Sequence, residues 1–161
     1  MNFLTVAFVS FFILGFKHTH TSEYQMESLR SFYWTENIPD VVICNNSQID
    51  LLILEKVISS WEKRGEKIGN VLFKECVEFQ TLPGTIEIYE DDKITGSAFG
   101  LTSIKSYTST KEIISAKIWI KPDYTDSIIL LEHELGHALG FKDTLAKDHV
   151  MSGYGFVYWN M

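Results

Sequence analysis

The chain has 161 residues, 45% of them hydrophobic and 22% charged, proportions of an ordinary globular domain that exclude a disordered chain or a multi-span membrane protein. That length suits one domain of roughly 150 residues rather than two. With 14 basic against 21 acidic residues the formal net charge is -7, which disfavours nucleic acid and anionic lipid surfaces as partners.

Phe3 to Phe16 contains no charged residue, long enough for a signal-peptide core and short of the roughly 20 residues that cross a bilayer. Residues 1–22 are therefore expected to be a signal peptide, and 23–161 an exported domain. No basic residue precedes the run and no small-x-small cleavage site follows it, so an uncleaved anchor, the domain's one expected tie to a membrane, stays open, and the alternative to targeting is a buried N-terminal strand or helix. The first 22 residues hold Lys17 and no acid, so the remainder is still acidic. Export makes a bridge between Cys44 and Cys76 feasible, with two buried thiols as the alternative.

Val41-Val42-Ile43 is a β-branched run that predicts a buried strand over Ile38 to Cys44, ending at the polar cluster Asn45-Asn46-Ser47. That cluster is also an N-x-S triplet, a pattern frequent by chance. Ser47 with Asp50 resembles a capping box, Ile49, Ile53, Val57 and Trp61 recur at helical spacing, and Gly65 supplies a stop. A turn at Pro83-Gly84 leads into a strand over Thr85 to Tyr89, where Ile86 and Ile88 alternate with polar neighbours. Gly96 to Leu101 and Ala116 to Ile120 are further candidate strands. Polar residues after Pro122 offer N-caps for a helix over Ile128 to Leu139, closed by Gly140.

His133-Glu134-Leu135-Gly136-His137 is an H-E-x-x-H on that last helix. Residues four apart lie one above the other on a helix, so both imidazoles can reach one ion. Zinc accepts two such nitrogens, and a catalytic site adds a third protein ligand and keeps one position open. Gly140 allows a left-handed turn that swings the chain back towards the metal, and Asp143 then offers the third ligand as a carboxylate. His149 is the rival third ligand; spacing favours Asp143. No glutamate follows Glu134, which excludes the thermolysin arrangement, whose third ligand is a later glutamate. Glu134 itself is placed as general base.

The run from His133 to Gly140 and on to Asp143, followed by Val150-Met151, resembles the metzincin signature H-E-x-x-H-x-x-G-x-x-H/D with its downstream Met-turn. It is most similar to the matrixins, which show the same separation between third ligand and methionine. Asp143 stands where matrixins carry histidine and resembles the snapalysin group instead. The resemblance implies an α+β, zincin-like fold: a twisted, mostly parallel sheet with an antiparallel edge strand, a backing helix, an active-site helix and a short C-terminal Met-turn segment. It implies a zinc metalloendopeptidase that acts on a peptide or protein substrate, with Met151 as the hydrophobic base beneath the metal. It also implies that an extended peptide pairs with the edge strand, placed at Gly96, Ala98 and Gly100, while Tyr154 and Phe156 form a pocket wall. No histidine lies between His20 and His133, so one catalytic zinc is expected and no second, histidine-rich site. A monomer is expected. The alternative is a non-catalytic, zinc-bound peptide-binding module derived from such an enzyme; retention of Glu134 favours the enzyme.

Overall fold

The computed structural model describes residues 3–9, 24–35, 37–44, 47–77, 80, 82–92, 94–96, 98–147 and 149–153, for 3–9 and 24–25 the backbone alone. The fold is α+β. Five strands, β2 (Asp40–Cys44), β3 (Val71–Lys74), β4 (Thr85–Glu90), β5 (Gly100–Tyr107) and β6 (Ile113–Ile120), form a mixed sheet, and β1 (Phe3–Val9) extends it to the order β1-β5-β6-β4-β2-β3. β2 runs parallel to β3 and β4, and β4 parallel to β6, whereas β5 is antiparallel to β6.

Parallel central strands are covered on both faces, which explains the unbroken burial of Val41 to Cys44 and of Thr85 to Tyr89. β5 instead alternates buried and half-exposed residues, with Gly100, Thr102, Ile104 and Ser106 buried. The strand expected over Gly96 to Leu101 therefore begins later, at Gly100. Gly96 is an exposed turn residue with φ +77°, a conformation that favours glycine, and Ala98 is buried before the strand starts. Nor is β5 the outermost strand, because β1 pairs antiparallel along it from Phe3 opposite Tyr107 to Val9 opposite Leu101.

Of the helices, α1 (Tyr24–Leu29) is short and the backing helix is α2 (Leu51–Lys63). The cap of α2 is Asp50 alone: its carboxylate accepts from the amides of Leu52 and Ile53, while the Ser47 amide is spent on a turn to the Cys44 carbonyl. Leu54, Val57, Ile58 and Trp61 form its buried stripe. A single 3-10 turn at Pro122–Tyr124 leads to α3 (Ile128–Ala138), capped by Ser127. α2 and α3 pack against the same sheet face, where Val41, Ile43, Ile86, Ile88, Ile118 and Ile120 build the main core. The opposite face carries a smaller cluster of Val42, Cys44, Tyr89, Leu72 and Trp119, onto which a Cys44–Cys76 disulfide clasps the chain after β3. There Glu87, buried, accepts from the Tyr89 hydroxyl at 2.7 Å and the Leu82 amide at 3.1 Å and pairs with Lys117. No helix among the described residues is long and apolar enough to cross a membrane.

Candidate metal centre

α3 is buried along most of its length, so its polar residues need partners. His133 and His137 stand one turn apart with their rings at 87° and centroids 4.7 Å apart. The Nδ1 of His133 lies 3.0 Å from the Val150 carbonyl and that of His137 2.9 Å from the Phe141 carbonyl. A carbonyl only accepts, so in the neutral rings the hydrogen sits on Nδ1 and the lone pair on Nε2.

Those two Nε2 atoms are 3.1 Å apart, and Asp143 Oδ1 lies 3.3 Å from one and 3.4 Å from the other. Three electron-pair donors thus converge, an arrangement that repels itself unless a proton or a cation sits among them. Ligands about 2.0–2.1 Å from a tetrahedral zinc stand about 3.3 Å from each other, so this donor set fits zinc in both chemistry and spacing. The histidine side chains are 1% and 0% exposed and that of Asp143 is 41% exposed, so the triad opens to solvent on the aspartate side. His149 is not in the triad; its Nδ1 accepts from the Met151 amide at 3.0 Å.

The charges in the triad depend on one another. Burial opposes charge on His133, yet the Asp143 carboxylate, Glu134 and the Val150 carbonyl outweigh it and raise its pKa above the usual 6.5. Burial likewise raises Asp143, but the bonds from His133 and His137 prevail and hold it well below the usual carboxylate range. His149 is lowered, first by burial and then by the charges of Arg64 and His133.

Two glycines let the surrounding chain close on α3. Gly140 has φ +102°, and a Cβ there would strike the Phe32 carbonyl oxygen. The Gly140 carbonyl accepts from the amides of Ser31, at 2.8 Å, and Phe32, and the Lys142 amide donates to Leu29 at 3.0 Å. These bonds turn the chain from α3 back towards Asp143. Gly136, between the two histidines, leaves room for the Met151 sulfur and the Trp61 ring. Met151 is buried, Trp61 stacks on Phe141 at 5.2 Å, and the Trp61 indole donates to the Glu132 carbonyl at 2.8 Å.

Glu134 is fully buried on the side of α3 that meets β5. The Thr102 hydroxyl lies 2.6 Å from its Oε2, and a Cβ on Gly100 would come within 2.8 Å of the same side chain. The structure thus brings together His133, His137 and Asp143, and sets Met151 against Gly136 and Gly100 against Glu134 on the same helix. Gly96 and Ala98 precede β5, and Tyr154 and Phe156 lie outside the described residues. The sequence reading places Trp61 on the backing helix without its contact to α3 and names neither Thr102 nor Phe32: Thr102 and Trp61 meet α3, and Phe32 meets the Gly140 turn after it, through contacts between residues far apart in sequence that no local pattern marks. No protein-family model matches this chain, and no curated protein matches it in sequence.

Proposed function

We propose that this chain is a zinc-dependent metalloendopeptidase of metzincin type, exported from the cell that makes it. The observation that carries the reading is the convergence of His133 Nε2, His137 Nε2 and Asp143 Oδ1 within 3.4 Å, with Glu134 on the same helix. His133, His137 and Asp143 would hold the ion, with Met151 packed under the helix between the two histidines as the base of the site. Bound zinc would supply Lewis acidity towards water and towards the scissile carbonyl. Glu134 takes the proton of the attacking water and passes it to the leaving amine. The carbonyls of Val150 and Phe141 keep the imidazoles in the ligating tautomer and orientation. Asp143 adds a negative charge that a third histidine would not, which moderates the Lewis acidity of the site. Export is supported by the apolar N-terminal run and by the disulfide, which persists in oxidising compartments.

The test is to load the full chain with zinc and compare wild type with Glu134→Ala on a denatured protein substrate, measuring bound zinc in both. The expected outcome is stoichiometric zinc in each and cleavage lower by about 10²- to 10⁴-fold in the variant. Zinc bound without cleavage by the wild type would favour the non-catalytic peptide-binding module, and failure to bind zinc would remove the metal centre.

A further inference from the structure

A buried carboxylate that must receive a proton from one particular direction needs something to hold it there. In this chain one side chain does so from the neighbouring strand. Thr102 is fully buried on β5, on the same face as Gly100, since alternate residues of a strand share a face. Its hydroxyl is 2.6 Å from Glu134 Oε2 and 3.1 Å from the Glu134 backbone carbonyl oxygen. The hydroxyl has one hydrogen, and the shorter, charge-assisted contact to the carboxylate takes it. Gly100 provides the complementary half of the cradle, because any side chain there would press into the carboxylate that Thr102 draws towards β5.

We propose that Thr102 is a positioning residue, whose hydroxyl fixes the Glu134 carboxylate in the orientation from which it receives a proton from water. This rests on the metallopeptidase reading, within which it assigns a residue of β5 to the catalytic apparatus of α3. A hydroxyl is required at 102 and size alone does not suffice: valine has the same shape but cannot donate, whereas serine can.

Two measurements on the full chain test it. The first is a double-mutant cycle in metal-free protein, with Thr102→Val, Glu134→Gln and the double variant compared by urea unfolding. It needs neither zinc nor activity. The unfolding constants are expected to depart from additivity by more than about threefold, and additivity would overturn the proposal. The second compares kcat, KM and bound zinc for wild type, Thr102→Val and Thr102→Ser. The valine variant is expected to lose about 10- to 100-fold in kcat, with KM and zinc content unchanged, and the serine variant to recover most of the loss. Coupling in the cycle with an unchanged kcat in Thr102→Val would make Thr102 purely structural and overturn the proposal. A wild type that binds zinc and never cuts would remove the general base, and the positioning role with it; that failure shows in the wild type alone.

Discussion

The sulfur of Met151 occupies the space that a β-carbon on Gly136 would need. Glycine in the middle of a helix normally costs about 0.5–1 kcal/mol relative to alanine, so intrinsic propensity favours Gly136→Ala. Packing reverses the sign. The added methyl meets Met151 and the edge of Trp61 inside a core without slack, and overpacking of this kind costs about 1–3 kcal/mol. Urea unfolding is expected to show a net loss of stability, accompanied by weaker zinc binding as the carbonyl of Val150 moves away from His133.

Asp143→Ala removes one of three donors, and zinc affinity in competition with a chelator is expected to fall by well over tenfold. Asp143→His keeps three donors and drops the negative charge. It is expected to retain stoichiometric zinc and to cleave faster than wild type in the same denatured-substrate assay. A histidine variant that binds zinc but cuts no faster would show that the charge of Asp143 does not limit the rate.

The pH dependence of stability should differ in sign between metal-free and zinc-loaded protein. Without metal, His133 has a folded pKa above its usual 6.5, so its contribution is complete below 6.5 and is lost as pH rises through the folded value. Asp143, held below its usual 3.8, contributes above 3.8 and loses that contribution as pH falls through its folded value. Zinc requires the unprotonated imidazoles, so its stabilisation grows with pH. The gap in Tm between the two forms is therefore expected to widen steadily from pH 5.5 to 8. His149, whose pKa is lowered chiefly by burial, loses its contribution to folding as pH falls below 6.5; burial acts in both forms, so that part drops out of the gap.

Reduction of the Cys44–Cys76 bridge releases a loop closed over a sequence separation of 32, a change that typically costs about 2–4 kcal/mol. A phosphine reductant is expected to lower the free energy of urea unfolding by that amount while the zinc content of the folded protein is kept, since the bridge lies with Val42, Tyr89 and Trp119 on the sheet face opposite α3.

Much of this architecture is legible in local pattern. β-branched runs mark β2, β4 and β6 to within a few residues, periodicity and a closing glycine mark α2 and α3, and the polar cluster before α3 holds its cap, whereas the capping box read for α2 reduces to Asp50. β5 is displaced in the sequence reading because Thr102, Ser103, Lys105 and Ser106 put polar residues on both faces, so its buried face is built partly of hydroxyls and lacks an apolar signal. β3 is four residues long, too short for periodicity to register. Phe3–Val9 has the composition of a leader core and of a strand alike, and pairing with β5 is a long-range event that composition does not encode. In the candidate metal centre, spacing singles out the two histidines and the aspartate whose donor atoms the fold brings within reach of one another. The contacts of Thr102 and Trp61 with α3, and of Phe32 with the Gly140 turn after it, arise from tertiary packing alone.

The pairing of β1 with β5 also bears on any peptide that would add to the sheet there. Such a peptide must displace a strand tethered to the same chain, whose effective concentration is on the order of millimolar. A ligand free in solution at micromolar levels is then outcompeted about a thousandfold at equal intrinsic affinity. While residues 1–22 stay attached, access to the β5 edge is thus a matter of competition with the N-terminus as much as of fit, and cleavage of a signal peptide would remove that competitor.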